Sequence, residues 1–482
     1  MKRQICNYVG AGLMALSFMN FISCTEIEHG VNDIDTWEEV KDYTPELSHP
    51  CMLHTQADFD FVKGKIEANE QPWADAYAHL QAAPYAQTSR LTESKPVKKL
   101  ARLDATNWAE KNERWEQAGI ADEWYEGIHN NYTYLMCDAA AVYQLALRWK
   151  LSGENQFADA AVGILNGWVS TCTGYLVNSS GEFLDPNQYL IAMQIYQLAN
   201  AGEILRDYDG WSSADFTKFK NWMVDVFYPQ ATNFLALHNG YTDCPLHYWL
   251  NWDLAEMTAI LSIGILTDDS FKINEAIQYF KFGAGGGNIY NAVPFVYTDP
   301  NPENQGKLIG QCMESGRDQG HATLCVSLMA VFCQMAKNIG EDLFLFDDNR
   351  AWAMCEYVGK YNYGETETGS NAEGWNLTNF KYTESDVPYS NYTNCTGDSW
   401  PTLSYQENKE GNFTRGTVRP TWELVRRLSA DYGLTSYYSD LWVKKMRENT
   451  ARGNSDGGAG DYGPNSGGFD QLGFGTLMFA KD

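Results

Sequence analysis

Apolar residues recur along this chain at helical spacing, i, i+3, i+4 and i+7, in about a dozen stretches, while the period-two alternation of half-buried strands is scarce. Thr55 followed by Asp58 reads as a capping box opening a helix over residues 55–67. Further stripes cover 73–80, 135–151 with Gly153 as the stop, 157–169, 189–205, 216–237 bent at Pro229, 246–266 and 271–282. A long helix beginning near 314 is followed by 351–361, 421–428 and 437–446. The stripes come in neighbouring pairs separated by polar loops. That arrangement predicts an all-α fold with concentric layers, an (α/α) toroid of about six to seven helical hairpins in a single domain, rather than a bundle around one seam.

Two long polar stretches, 283–311 and 362–415, interrupt the pattern, and loops of that length inside a compact domain are usually functional. Residues 457–476 are rich in glycine yet carry Tyr462, Phe469, Leu472 and Phe474, so they are expected to pack as a closing strap, with a free tail as the alternative.

At the other end, Lys2 and Arg3 precede an apolar run over 8–22 that is too short to span a bilayer and reads as an export signal. The run ends in Phe21-Ile22-Ser23-Cys24, a loose lipoprotein cleavage box. The expectation is a lipoprotein signal over 1–23, a lipidated Cys24, a flexible tether over 24–46 and a folded domain over 47–482. Ordinary cleavage nearby is the alternative. Such a chain is an exported lipoprotein of the outer membrane, periplasmic or on the cell surface, touching the membrane only through its anchor. With Cys6 and Cys24 set aside, nine of the eleven cysteines remain, without CxxC or Cys/His metal spacing. Cys325, Cys333 and Cys355 lie in apolar helical runs and read as small core residues. Neither metal nor cofactor is expected.

A formal charge of −27 excludes nucleic acid and an anionic membrane surface as natural partners. An acidic substrate has to be held by local cations. The 16 Trp and 29 Tyr suit stacking on sugar rings and suit a bulky core equally well.

Candidate chemistry concentrates in ESGRDQGHATL, residues 314–324, where helical spacing would set Glu314, Arg317, Asp318 and His321 on one face of a buried helix. Either Glu314 and Arg317 form a structural ion pair or this is an active-site helix. Gly316 and Gly320 favour the second, since mid-helix glycines cost about 1 kcal/mol each unless close approach demands them. In LHYWLNWDL, His247 and Asn251 would stand one above the other on a helix among Tyr248, Trp249 and Trp252, as a sugar-facing site or a core histidine. The glycines of 283–301 would let backbone approach a ligand, with Tyr290 and Tyr297 as site residues or loop anchors.

Together HYWLNWDLAEM, FKFGAGGGNIYNAVP, ESGRDQGHATL, RGTVRPTWEL and DYGPNSGGFDQLGFGTL resemble the helical-toroid polysaccharide lyases of the alginate-lyase type from gut Bacteroidetes, closest to polysaccharide lyase family thirty-eight. The resemblance spans residues 47–480. It implies a single all-helical catalytic domain and β-elimination on a 1,4-linked polyuronate, without fixing which uronate; the expectation is a monomer without cofactor acting on alginate (poly-β-D-mannuronate), with glucuronan the alternative. The chain departs from relatives with a paired Asn-His dipeptide, because Asn251 is followed by Trp252.

β-Elimination needs donors on the uronate carboxylate, a base for the carbon 5 proton and an acid for the oxygen leaving carbon 4. Asn251, His247 and Arg317 are suited to the carboxylate. In β-linked mannuronate the proton and the leaving oxygen share a face, so one tyrosine, Tyr297, would serve as base and acid with its pKa lowered by Arg317 or His321. On α-linked guluronate His247 would be the base. Glu314 would orient Arg317, and Gln319, Tyr290, Trp252, Asn130, Tyr132 and Gln188 would contact flanking sugars. Two other readings remain: a glycoside hydrolase using Asp253 or Asp318 with Glu314, and a glycan-binding lipoprotein without turnover.

Overall fold

The computed structural model describes residues 45–103, 131–364, 380–406, 415–463 and 466–481. The expected export signal, Cys24, nearly all of the expected tether and Asn130 lie outside them.

Thirteen helices of two turns or more dominate the described residues: α1 Gln56–Glu67, α2 Trp73–Ala82, α3 Tyr132–Ser152, α4 Asn155–Thr171, α5 Ala192–Ile204, α6 Ser213–Trp222, α7 Tyr228–Leu237, α8 Leu250–Thr267, α9 Ser270–Phe282, α10 Gln319–Asn338, α11 Phe346–Asn362, α12 Trp422–Asp431 and α13 Tyr438–Met446. Local chemistry sets their ends. Thr55 and Asp58 form the reciprocal capping box of α1, and Gly153 closes α3 at φ +77°, where a side chain would be strained. The bend expected at Pro229 is a π-helical turn over Met223–Phe227 leading into α7, which absorbs the hydrogen bond that Pro229 cannot donate. In α11 the backbone of Asp347, Asp348 and Asn349 is left-handed, so the regular helix starts at Arg350, beside the expected 351.

Packing follows the pairing. α1 lies on α2, α3 on α4, α5 on the π-helical turn that joins α6 to α7, α8 on α9, α10 on α11 and α12 on α13, while α3, α5, α8 and α10 also pack in succession against one another. These inner helices are buried on nearly every face, α5 along its whole length. One hydrophobic core runs from Cys51 to Ala480. The ring closes where Arg427 of α12 reaches Asp58 of α1 at 3.1 Å. The architecture is the (α/α) toroid, with six helical pairs among the described residues. None of the described helices is long and apolar enough to cross a membrane.

The expected strap exists. Tyr462, Phe469, Leu472 and Phe474 are buried, and inner-helix side chains hold its backbone. Gln144 of α3 donates to the Ala459 carbonyl at 2.9 Å, Tyr196 and Gln197 of α5 to those of Asp470 and Phe469. The 283–311 stretch is more ordered than polarity suggested: β1 Phe295–Thr298 pairs antiparallel with β2 Leu308–Gln311. Strands this short fall below what alternation in sequence reveals. A second hairpin pairs β3 Tyr392–Thr393 with β4 Ser399–Trp400.

At Gly473, φ is +73°, and a Cβ would lie 2.4 Å from the Gly458 Cα and 2.6 Å from the Gly457 carbonyl oxygen, backbone that has no room to move. Gly473→Ala is therefore expected to lower stability by about 2–3 kcal/mol. Chemical denaturation monitored by tryptophan fluorescence checks this, and an unchanged midpoint would remove the strap from the core.

Candidate active site

The helix expected from 314 begins at Gln319, and the reason is Asp318. Its backbone is extended, and its carboxylate accepts the His321 N–H at 2.9 Å as the N-cap of α10. Glu314 to Arg317 form the turn before the cap. The four charged residues do gather, by turn and cap rather than by helical period. Gly316 and Gly320 are accordingly not mid-helix. A Cβ on Gly316 would strike the Tyr389 hydroxyl, the Trp400 Cβ and the Thr402 carbonyl, so this glycine admits the 389–402 segment, whereas Gly320 is roomier, its nearest contact being Asp318.

Glu314 is fully buried and fully used. One carboxylate oxygen accepts both the backbone N–H and the side-chain amide of Asn251, each at 2.8 Å, and takes the Cys325 thiol at 3.2 Å. The other accepts Arg317 at 3.0 Å. Glu314 thereby caps the N-terminus of α8, where a negative charge is favoured. The ion-pair and active-site readings of this residue merge, because the buried pair fixes Arg317, which keeps a quarter of its side chain exposed.

Next to it, the Asp318 carboxylate accepts from His321 Nδ1 at 2.6 Å, and His321 is 39% exposed. Burial would raise the Asp318 pKa, but the hydrogen bonds and charge of His321, with the charge of Arg317, hold it at about 2. The positive charges of Arg102, Arg419 and His321 also reach Asp470 in the strap, whose carboxyl burial nonetheless raises to about 6. Arg102 stacks over the Tyr132 ring at 4.7 Å. Arg102, Arg317 and Arg419 thus bring three guanidinium groups to this region of an acidic chain. Arg102, Arg419 and Asp470 carry no spacing signal; RGTVRPTWEL contained Arg419 without assigning it a role.

α8 starts at Leu250, so His247 lies in the turn before it and does not stack above Asn251. Its ring lies flat on Tyr241, centroids 3.4 Å apart, and burial lowers its pKa. Tyr248 joins it to Trp252, and Phe234 continues the row to Tyr189, an aromatic shelf beside the α8 N-terminus. On the other side Trp249 packs on Trp400 at 3.9 Å. The β3–β4 hairpin is fastened here by a disulfide from Cys244 to Cys395, a pairing that spacing could not assign. Cys325, Cys333 and Cys355 are buried free thiols.

Tyr297 disagrees with its expected environment. Its hydroxyl is engaged by Gln311 at 2.9 Å and Ser390 at 2.8 Å, and burial raises its pKa where Arg317 or His321 was expected to lower it. Tyr290 is exposed under the Arg350 guanidinium. The glycines of 283–287 serve the protein rather than a ligand: a Cβ at Gly285 or Gly287 would hit Asp253, Tyr279, His238 or Met257. Gln319 spans Ser315, Ser404 and Asn362, and Gln188 donates to the Leu176 carbonyl, so both are structural amides. Asp253, raised to about 7 by burial, is bound by Tyr279 and Gly287. Glu314, Asp253 and Asp318 are therefore all engaged, which leaves the hydrolase reading without its pair of free carboxyl groups.

Residues 70–292 match the family model for alginate lyase. Over just under half of its length the chain is thus similar to the alginate lyases. The match holds the aromatic shelf, His247 and Asn251, and ends before the Glu314 turn. No curated protein matches the chain. Among solved structures, an alginate lyase from Bacteroides ovatus shares the fold at a TM-score of 0.52 and 13% identity, covering 85% of this chain and 98% of that one. Alginate lyase A1-III from Sphingomonas species A1 aligns at a TM-score of 0.41 and 14% identity over 64% of this chain and 81% of its own.

Because Asp318 has a folded pKa of about 2, below the unfolded value near 3.9, its contribution is complete above about pH 4 and disappears as pH falls through 2. Asp318→Asn is expected to cost about 1–2 kcal/mol at neutral pH. Thermal melts of both proteins from neutral pH downward should converge near pH 2; a constant gap would assign the loss to something other than ionisation.

Proposed function

We propose that this protein is a polysaccharide lyase that cleaves β-1,4-linked polymannuronate by β-elimination, with His321 as both base and acid and Arg317 on the uronate carboxylate. The observation that carries this reading is the Asp318–His321 pair beside Arg317. A carboxylate on Nδ1 fixes the tautomer that leaves Nε2 as the acceptor, the logic by which an orienting acid prepares an imidazole base.

The steps balance on these groups. Arg317, held by Glu314, neutralises the carboxylate and acidifies the carbon 5 hydrogen. Nε2 takes that proton, and the electron pair left on carbon 5 forms the double bond to carbon 4 as the bond from carbon 4 to the glycosidic oxygen breaks. The imidazolium then returns the proton to that oxygen. In β-linked mannuronate both events lie on one face of the ring, so one imidazole suffices. Asp318 stabilises the transient cation. The shelf of Tyr248 and Trp252 offers apolar faces to neighbouring sugars. Tyr297, hydrogen-bonded to Gln311 and Ser390, supports the β1–β2 hairpin instead of reacting.

The test sets His321→Gln against Tyr297→Phe, on polymannuronate, polyguluronate and glucuronan. The ultraviolet absorbance of the unsaturated product reports turnover, and affinity electrophoresis reports binding. His321→Gln should lose about 10²–10⁴-fold in kcat and retain polymer binding. Tyr297→Phe should keep most turnover. The opposite pattern would return the role to Tyr297, and new reducing ends without ultraviolet product would overturn elimination altogether.

A further inference from the structure

Far along the chain from Glu314, the segment that opens the folded domain meets the C-terminal ends of α5 and α8. His49 Nδ1 lies 2.5 Å from Glu203 Oε1, and Cys51 Sγ lies 3.5 Å from the same nitrogen. The three ligand atoms, one each from His49, Cys51 and Glu203, fall within 4.8 Å of one another. Cys51 and Glu203 are almost fully buried. The other ring nitrogen, His49 Nε2, lies 2.7 Å from Asp268 Oδ1.

We propose that His49, Cys51 and Glu203 form a zinc site, with Asp268 as the outer carboxylate that orients the histidine and a water as fourth ligand. The donor set is the mixed nitrogen, sulfur and oxygen set that zinc accepts, and a carboxylate on the remaining His nitrogen is the usual support of a zinc-bound imidazole. Zinc bond lengths at a tetrahedral angle place nitrogen and sulfur roughly 3.5 Å apart, as here, and nitrogen and oxygen about 3.3 Å apart, so Glu203 has to withdraw from His49 by roughly 0.8 Å.

The charges also balance. With both nitrogens against carboxylates, the ring is an imidazolium between Glu203 and Asp268, with Arg206 bonded to Glu203 at 2.9 Å and 3.7 Å from Asp268. Zinc entry displaces the Nδ1 proton and the Cys51 thiol proton. Two positive charges arrive and two protons leave, so the cluster keeps its net charge and Arg206 keeps its partners. No binding pattern in sequence announced this site, because His49 and Cys51 are two apart while Glu203 joins them only across the ring.

The experiment uses the whole purified chain, stripped with chelator and titrated with Co²⁺ and then Zn²⁺. The expected result is one equivalent bound, a near-ultraviolet thiolate-to-cobalt band that Zn²⁺ abolishes, and a rise in melting temperature with saturating Zn²⁺. Cys51→Ser should lose the band and Glu203→Gln should weaken binding at least tenfold, each retaining helical circular dichroism. Absence of the band, or the same band in Cys51→Ser, would overturn the proposal. His321→Gln serves as control: its zinc affinity should match that of the unaltered chain, which separates this site from the elimination chemistry.

Discussion

The buried carboxylate of Glu314 is the interaction on which the candidate site depends. A charge taken out of water persists only when its lone pairs are met, and here a backbone amide, a side-chain amide, a guanidinium and a thiol meet them. Those partners belong to different elements. Asn251 opens α8, Cys325 lies in α10 and Arg317 lies in the turn between β2 and α10. One ionised group therefore sets the relative positions of two inner helices and fixes the cation beside the imidazole. Loss of the carboxylate would leave Arg317 without its buried partner and an uncapped helix start together, so its cost is that of a network rather than a pair.

Much of the fold was legible in the sequence, because the inner helices read as long apolar runs, the outer ones carry a 3.6-residue stripe, and helix ends carry caps such as Thr55 and Gly153. The site was legible in composition but not in shape. The spacing of Glu314, Arg317, Asp318 and His321 is helical, yet Asp318 is better used as a cap, and capping residues compete with helix continuation through their own side-chain bonds. The same happened at His247, four positions before Asn251 and outside α8. Tyr297 was assigned from its loop, and only the β1–β2 register showed its hydroxyl directed to Gln311 and Ser390. Arg102, Arg419 and Asp470 come from three distant segments, and pairwise proximity across a ring leaves no periodic trace.

The charge distribution bears on how an acidic chain would hold the acidic polymer proposed for it. At −27 the whole protein repels a polyuronate at long range, but salt screens that repulsion beyond roughly 8 Å. Within that distance Arg102, Arg317 and Arg419 offer local positive charge. The Cys244–Cys395 disulfide and the Trp249–Trp400 contact hold the β3–β4 hairpin next to the same region.

The strap gives the ring a property that the helices alone lack. Gln144, Tyr196 and Gln197 donate to carbonyls 272 to 315 positions further along the chain. Each helical hairpin is a local structure that forms quickly, but the polar side chains on the inner wall find their partners only after nearly the full circuit has been made, and contacts of such separation are the slow ones. The toroid is thus assembled locally and finished globally. Until the strap seats, the amides and hydroxyls along its axis have only water as partner, so seating exchanges those water contacts for buried bonds to the strap backbone.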